Sequence, residues 1–463
     1  MFDISKIRSA LVVGLSLRTG LSAANYLAGR NIETAASDVK TRADLAGVME
    51  KLDPRVRVIA GPQEPSILDR GFDLVVLSPG VPQTIPLVAE AVRRGVPVIA
   101  EVELAYLALQ GTIIGITGTD GKTTTTALTG HLLAALGFDA LVGGNIGVPL
   151  ISFAGWAGPD TVTVAELSSF QLETIREFRP RVAAILNVTP DHLDRYGSME
   201  EYLDAKLRIA VNQTGEDYFV ANGDDSRVIA SSKRVKSRVL TFSIKDTGAD
   251  AFYNGGSIIC RHGGSAIVAA EALKMKIFGI HNIQNAMAAI LMASAMCDIA
   301  GREPDFDVMA GSLYGFRGLE HRMELLGEYQ DRTFINDSKA TTVGAVEMAV
   351  HGYSGNCVLI LGGRTKGDDY SRLVAGLRGR VRGLILIGES SGEFSEIFSE
   401  FRMEKAETMD DAVARGMRMS EPGDAVLLSP VCASFDMFEN FEERGKAFRA
   451  GFDKLRAGEL RWT

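Results

Sequence analysis

The stretch GITGTDGKTTTTAL, residues 115–128, combines the residue types that hold phosphate. Gly118 and Gly121 allow backbone N–H groups to curl around an anion, and Lys122 supplies a positive charge to the β- and γ-phosphates. The hydroxyl of Thr123 suits Mg²⁺, and the helix expected after it would present its positive N-terminal end. The segment predicts binding of a nucleoside triphosphate; the alternative is a glycine turn with a surface lysine.

Two residues depart from what a general phosphate loop would contain. The pattern GxxxxGK[ST] requires glycine at position 116, where the chain has Ile116. Asp120 places a carboxylate in the loop, and a carboxylate repels phosphate unless a cation lies between them. We therefore expect Asp120 to face solvent or a metal-bound water. Nucleotide binding alone does not separate a motor, a switch, a kinase and a ligase, so the other strand ends must decide.

Apolar strands that run into glycine-rich turns recur before and after this loop. The first block, residues 10–38, reads as strand, loop, helix and strand, and the segments 74–82 and 96–106 read as further strands with turns. This rhythm predicts a parallel, doubly wound sheet. Ser16 stands where GxGxxG would have its second glycine, so a nucleotide or other phosphate at this turn is favoured over NAD. A purely structural turn is the alternative.

The remaining chain repeats the same organisation twice. Strands entering polar turns are predicted within 161–173 and 181–197, and the apolar spacing of 199–211 and 278–297 is typical of helices. Three more strands are expected to enter loops at 356–371, 383–390 and 425–438. The predicted fold is α/β with three domains: a Rossmann-like parallel sheet at 1–107, a central P-loop ATPase domain at 108–318 and a Rossmann-like domain at 319–463.

Composition narrows the function classes. The net charge of −9 without a Lys/Arg block argues against a nucleic-acid partner. There is no apolar run of about 18 residues, so no membrane partner is expected, and the N-terminal apolar run is too short for a signal peptide. The four cysteines are far apart in sequence and are expected to be reduced thiols. We expect a cytoplasmic monomer.

Eight motifs spread over the chain resemble those of the Mur ligase superfamily. They are TGTDGKTT (117–124), ELSSFQLE (166–173), NVTPDHLDRYG (187–197), AKLRI (205–209), GIHNIQNA (279–286), GLEHRME (318–324), NDSKATT (336–342) and SPVCASFDMFENFEERGKAF (429–448). The resemblance implies an ATP-dependent enzyme that joins an amino acid to a carboxylate through an acyl phosphate. SSFQLE and NDSKAT look most like the branch that adds D-glutamate to UDP-N-acetylmuramoyl-L-alanine in peptidoglycan precursor synthesis.

Two alternatives stay open at this point. A relative could add another amino acid, such as L-glutamate, to a carboxylate acceptor, because the same carboxylate-binding donors would serve either isomer. A nucleotide-dependent switch or an NAD-linked oxidoreductase would use the first block, but would leave the NDSKAT and CASFDMF segments without a role.

The resemblance also implies roles for individual residues. It implies two Mg²⁺ ions held by Thr123, Glu166, His192 and Lys206, with Lys206 carrying a carbamate that turns its cation into a carboxylate-like ligand. Asp191 and Asp194 are close enough in sequence to orient His192. The implied catalytic residues are Lys122, His192, Lys206 and His321. From sequence alone, Glu166 could instead cap a helix, and Lys206 could be a solvated helix lysine.

Nucleotide and substrate contacts follow by the same resemblance. Those to ATP are Gly118, Thr119, Asp120, Gly121, Lys122, Thr123, Thr124, Asn282, Asn285, Arg322 and Asp337. Those to the UDP precursor are Ser16, Arg18, Thr19, Asp38, Ser78, Pro79, Gly80 and Asn145, with Asn187 nearby. Those to glutamate are Lys339, Thr341, Lys366, Ser434, Phe435 and Phe441. The 14–20 loop is one residue longer than is usual in the family, and its Arg18 could contact pyrophosphate or point to water.

Overall fold

The computed structural model describes residues 4–192, 195–277, 279–353 and 355–462. Three β-sheets are arranged in order along the chain, and helices pack beside each. Short 3₁₀ turns occur at Ile4–Lys6, Pro65–Arg70, Leu150–Phe153, Arg208–Ala210, Ser232–Arg234 and Ala272–Lys274. Within the part of the chain described, no helix is both long enough and apolar enough to cross a bilayer.

The first sheet is parallel and has the order β3-β2-β1-β4-β5. Its central strands are buried on both faces, which explains why they read as unbroken apolar runs in the sequence. The strands are β1 (Ser9–Val13), β2 (Glu33–Asp38), β3 (Arg57–Ala60), β4 (Leu74–Leu77) and β5 (Val98–Ala100). The helices are α1 (Thr19–Gly29), α2 (Ala46–Met49), α3 (Pro86–Arg93) and α4 (Glu101–Ala108).

The second sheet has the order β14-β13-β12-β11-β10-β9-β6-β8-β7 and is parallel from β7 to β12. Its strands are β6 (Thr112–Thr117), β7 (Asp139–Gly144), β8 (Thr161–Glu166), β9 (Val182–Ile185), β10 (Tyr218–Asn222), β11 (Arg238–Ser243), β12 (Ala251–Asn254), β13 (Ser257–His262) and β14 (Ser265–Glu271). The helices that follow or flank it are α5 (Lys122–Ala135), α6 (Ser169–Leu172), α7 (Met199–Leu207), α8 (Ser226–Ser231), α9 (Ile280–Ile299) and α10 (Phe306–Gly315).

The third sheet has the order β15-β16-β20-β17-β18-β19, with β15 antiparallel to β16 and the other pairs parallel. Its strands are β15 (Glu324–Tyr329), β16 (Arg332–Asn336), β17 (Cys357–Gly362), β18 (Val381–Ile387), β19 (Met403–Ala406) and β20 (Ala425–Leu428). The helices are α11 (Val343–Gly352), α12 (Arg372–Leu377), α13 (Ser391–Ile397), α14 (Met409–Met419) and α15 (Phe441–Ala457). A separate apolar core lies on each face of this sheet.

The chain forms two compact units. One holds the chain up to Ala270 together with Gln284–Ser312, and the other holds Glu271–Ile283 together with the chain from Leu313 onward. The three sheets fall within the three ranges predicted for the domains, and the boundaries themselves stay a prediction.

The prediction of a strand and turn over 96–106 was wrong beyond Ala100, because Glu101 opens helix α4. The antiparallel strands β12 and β13 were not predicted either. Their glycine turn at Gly255 and Gly256 has positive φ angles of 57° and 89° and was a missed hairpin signal.

Candidate active site

The phosphate loop joins β6 to α5 at the carboxyl edge of the second sheet. Gly118 and Gly121 have φ angles of 156° and 78°, so both take conformations that side chains disfavour. Lys122 is the first residue of α5, and its Nζ donates to the carbonyls of Gly118 at 2.9 Å and Thr119 at 2.7 Å. The predicted strand, loop and helix are therefore present, with the lysine at the helix N-terminus.

Asn187, which follows β9, forms hydrogen bonds with the backbone of the phosphate loop. Its Oδ1 accepts hydrogen bonds from the backbone N–H groups of Thr119 at 3.1 Å and Asp120 at 2.8 Å. Its Nδ2 donates to the carbonyl of Asp120 at 3.1 Å. The Asp120 carboxylate accepts from the hydroxyl of Thr189 at 3.3 Å and is partly exposed. The sequence indicated no role for Asn187 in shaping this loop.

Gly121 allows the loop to approach α9 closely. A Cβ at this position would lie 2.5 Å from Oδ1 of Asn285, which also accepts from the hydroxyl of Thr125 at 3.1 Å. Asn285 is buried, so the clash cannot be relieved by a swing into solvent. The structure thus places Asn285, an expected adenine contact, directly against the phosphate loop.

Replacing Gly121 by alanine is expected to weaken ATP binding by about 10-fold or more, since the loop must shift from Asn285. Gly137, just past the other end of α5, is the matched control: its φ is 80°, but an added Cβ meets nothing closer than 4.0 Å. Both alanine variants should lose about 1–2 kcal/mol of unfolding free energy from left-handed strain. Only Gly121→Ala should alter ATP affinity in calorimetry, and equal affinities would refute a shaping role.

Glu166 ends β8, the strand beside β6 at the same sheet edge. Its side chain is buried, and Oε1 accepts from Nδ2 of Asn145 at 2.8 Å. Oε2 is buried without a hydrogen-bond partner among the described residues. An orphaned carboxylate oxygen is costly unless a cation satisfies it, so Glu166 fits a hard metal ion such as Mg²⁺.

The rest of the predicted metal set is less compact. No cluster of three or more His, Cys, Asp or Glu suited to a metal occurs among the described residues. Two of the four expected ligands, Thr123 and Lys206, are of other residue types. His192 has a φ of 53°, and its Nε2 lies 3.4 Å from Oδ2 of Asp191. The predicted orienting residue Asp194 lies outside the described residues.

Lys206 is buried on α7, facing the phosphate loop. Its Nζ donates to the carbonyl of Gly118 at 2.8 Å and lies 4.2 Å from the centre of the Tyr202 ring. Burial, with the positive charge of Lys122 as a second cause, lowers the pKa of Lys206 to about 7. The alternative interpretation of Lys206 as a solvated helix lysine is therefore wrong, and a pKa of about 7 leaves part of the amine neutral near pH 7.

The first sheet brings its expected substrate residues to its own carboxyl edge. Asp38 accepts from the backbone N–H of Leu15 at 2.8 Å, and Ser78 donates to the carbonyl of Gly14. Ser16 accepts from the N–H of Gly20 at 3.2 Å. Pro79 and Gly80 lie in the turn after β4, and Thr19 is the first residue of α1.

Arg18 makes hydrogen bonds that the sequence did not predict, and its contact with pyrophosphate stays a prediction. Its guanidinium donates to the carbonyls of Gly144, which ends β7 of the second sheet, and of Asn145 and Gly147 just after it.

In the other compact unit, His321 and Asp337 are both buried, and His321 contacts Asn336, the residue next to Asp337. His321 has a φ of 64°, and its Nδ1 lies 3.0 Å from Nδ2 of Asn336. Asp337 accepts from the hydroxyl of Ser429 at 2.9 Å and from the N–H of Met323 at 3.1 Å. Burial raises the pKa of Asp337 to about 7. Arg322 and Asn282 belong to this unit as well, and Asn282 is buried.

The expected glutamate residues lie on loops of the third sheet, except Phe441, which is the first residue of α15. Nζ of Lys366 donates to the carbonyl of Thr341 at 3.0 Å, and Nζ of Lys339 lies 3.9 Å from the centre of the Phe441 ring. The structure thus links these four residues in two contacting pairs. Ser434 is buried on the loop after β20, whereas the neighbouring Phe435 is 64% exposed.

Arg444 was missed by the sequence analysis. It lies among charged residues of α15 and reads as solvated, yet it is buried and donates to Ser338 and to the carbonyl of Cys432. It thereby joins the loop that carries Lys339 to the loop that carries Ser434.

Comparisons with known proteins show to which family the chain belongs. Three family models match the chain: Mur ligase MurD-like, N-terminal domain, at residues 8–100; Mur ligase middle domain at 116–293; and Mur ligase, glutamate ligase domain, at 321–432. The UDP-N-acetylmuramoylalanine--D-glutamate ligase of Geotalea uraniireducens is 44% identical over 450 residues, covering 96% of each chain. The enzyme of the same name from Geotalea daltonii is 42% identical, covering 98% of this chain and 99% of its own.

Among solved structures, the MurF ligase of Thermotoga maritima in complex with ADP matches with a TM-score of 0.57. It shares 16% identity, and the match covers 97% of each chain, so it supports the fold. The three-domain α/β prediction is confirmed. The chain belongs to the Mur ligase family, and its relatives place it among the UDP-N-acetylmuramoylalanine--D-glutamate ligases.

Proposed function

We propose that this chain uses ATP to join D-glutamate to UDP-N-acetylmuramoyl-L-alanine in peptidoglycan precursor synthesis. Relatives bearing that enzyme name match nearly the whole chain at 44% and 42% identity, which supports the assignment. The observation that carries it is the grouping of Lys122, Glu166 and Lys206 around the phosphate loop. That loop could serve many reactions, but the grouping suits activation of a carboxylate by phosphate.

The reaction has two steps that conserve every atom. A carboxylate oxygen of the precursor attacks the γ-phosphorus of ATP, ADP leaves, and an acyl phosphate forms. The glutamate amine then attacks the acyl carbon, loses a proton and expels inorganic phosphate, which leaves an amide. An anion approaches a polyanion in the first step, so positioning and charge neutralisation are the main demands on the protein.

Residues around the phosphate loop meet those demands. Lys122 would move its ammonium from the loop carbonyls to the β- and γ-phosphates, and the backbone N–H groups at the N-terminus of α5 would bind their oxygens. Thr123, Glu166, His192 and a carbamoylated Lys206 would hold Mg²⁺, which supplies a Lewis acid that offsets the phosphate charge. His192 lies on the exposed turn after β9. A second Mg²⁺ ion bound by His192 is therefore proposed from the resemblance to the family.

Binding of the two substrates would use the other strand ends. The turns at 14–20 and 78–80 and Asp38 would hold the UDP part of the precursor. Lys339, Lys366 and the hydroxyls of Thr341 and Ser434 would bind the two glutamate carboxylates, because ammonium and hydroxyl groups donate to carboxylates. Asn282, Arg322 and Asp337 would contact ATP, and His321 would orient the reacting groups. We place the reaction of this chain in the cytoplasm, where ATP and nucleotide sugars are available.

A direct ligation assay tests the proposal. The protein is given ATP, Mg²⁺ and UDP-N-acetylmuramoyl-L-alanine with D-glutamate, L-glutamate, meso-diaminopimelate or lysine in parallel. ADP and a new amide should form with D-glutamate alone. Product from L-glutamate or another amino acid would move the chain to a different specificity, and no product with any of them would overturn the proposal.

A further inference from the structure

Arg18 bridges the first and second sheets within one compact unit. The residue immediately precedes α1, in the loop at the carboxyl edge of β1. Its guanidinium donates to the carbonyl of Gly147 at 2.7 Å and, at 3.4 Å, to the carbonyls of Gly144 and Asn145. A fork of several N–H groups can serve three carbonyls at once, which the single ammonium of lysine cannot do in the same geometry.

The segment that Arg18 holds also holds Glu166. The backbone N–H of Asn145 donates to the carbonyl of Glu166 at 2.8 Å, and its side-chain amide donates to Oε1 of Glu166, also at 2.8 Å. At Gly144, with a φ of 108°, a Cβ would lie 2.4 Å from the Glu166 carbonyl, so the two strands are in close contact there. The position of Glu166 therefore depends on residues 144–147.

The other end of this segment, at Ile151, is held by Glu101 of α4, the helix that connects the first sheet to the second. Glu101, the first residue of α4, accepts from the N–H of Ile151 at 2.8 Å and is buried. Two positions further on, Glu103 accepts from the N–H groups of Arg176, Glu177 and Phe178 at 2.7–3.0 Å. Residues 144–151 thus run between two anchors, one at each end.

We infer that Arg18 is a positioning residue that acts through Asn145 to hold Glu166 in the orientation the metal site requires. The 14–20 loop is expected to receive the UDP part of the precursor, so Arg18 would link that loop to the metal end of the phosphate site. This inference rests on the proposed function for the identity of the metal and the precursor. The contacts that carry it are hydrogen bonds between residues of this chain.

Hydrogen exchange tests the structural part without any activity. In Arg18→Ala, the amides of residues 144–148 should exchange about 10-fold faster than in the unchanged protein, measured without nucleotide or metal. Arg18→Lys should behave like the alanine variant, because it keeps the charge and loses the fork. Arg30→Ala removes the same side chain from the other end of α1 and should leave exchange in 144–148 unchanged.

Kinetics test the functional part. The Mg²⁺ concentration for half-maximal ligation should rise about 10-fold in Arg18→Ala, while the KM for the UDP precursor should change by less than about 3-fold. The effect should be non-additive with Asn145→Ala, because both residues act on Glu166. A raised KM with unchanged exchange and unchanged Mg²⁺ dependence would make Arg18 a pyrophosphate ligand and overturn the inference. Absence of ligation by the unchanged protein would contradict the proposed function. The hydrogen-exchange experiment would still test whether Arg18 positions residues 144–148, because it needs no activity.

Discussion

Replacing Lys206 by alanine is expected to lower the ligation rate by on the order of 10³-fold, comparable to loss of a principal electrostatic contact. The side chain is buried against the carbonyl of Gly118, and its amine shares this region with the positive charge of Lys122. A second buried ammonium would repel the metal ion that the phosphates need. A carbamate on Lys206 would remove that repulsion and add an anionic ligand, and alanine cannot form one.

The pH dependence follows from the lowered pKa of Lys206. CO₂ reacts with a neutral amine and not with an ammonium, so with a pKa of about 7 the reactive form increases as the pH rises. Ligation in limiting bicarbonate should therefore increase from about pH 6 to about pH 8, and saturating bicarbonate should reduce this dependence. Lys233→Ala, an exposed lysine on a nearby turn, is the control and should retain full activity. Full activity of Lys206→Ala would remove the residue from the mechanism.

Glu166→Gln should raise the Mg²⁺ concentration for half-maximal activity by about 10- to 100-fold, with a lower kcat at saturation. The amide keeps the volume of the side chain and can still accept from Asn145, so folding should be preserved. What is lost is the negative charge at the buried oxygen that has no protein partner among the described residues. Calorimetric titration of ATP with and without Mg²⁺ should show that only the Mg²⁺-dependent part of the affinity falls.

A matched control separates this effect from a general loss of negative charge. Glu200, exposed in the first turn of α7, can be changed to glutamine without touching the phosphate loop. Glu200→Gln should keep the unchanged protein's Mg²⁺ dependence. If Glu166→Gln also kept it, Glu166 would be a structural residue bound to Asn145, and the metal would have to be held elsewhere.

The sequence predicted most reliably what depends on local pattern. Gly118, Gly121 and Lys122 identify a strand, loop and helix because backbone geometry and phosphate charge dictate those residue types. Strand ends were also predictable, since buried parallel strands read as short apolar runs. Helix α4 was misread because a strand of three residues passes directly into a helix whose first turn contains two buried glutamates, a pattern that resembles a longer strand.

Burial and long-range contacts were beyond the sequence. Lys206 and Arg444 lie on helices where nearby charged residues suggest solvation, and only the packing of α7 and α15 buries them. Arg18 was visible as an extra cation, but its partners are more than 100 residues away, 126 to 129 positions along the chain. Asn187 is likewise distant in sequence from its partners, since its hydrogen bonds to the phosphate loop join positions 67 or 68 residues apart.

Transfer of isotopic oxygen tests the proposed chemistry most directly. UDP-N-acetylmuramoyl-L-alanine labelled with oxygen-18 in its carboxylate is incubated with ATP, Mg²⁺ and D-glutamate, and the released phosphate is analysed by mass spectrometry. Attack of the carboxylate on ATP followed by attack of the amine predicts one labelled oxygen in the phosphate for each amide formed. Amide formation with unlabelled phosphate, or labelled phosphate released equally well with L-glutamate, would contradict a D-glutamate ligase that acts through an acyl phosphate.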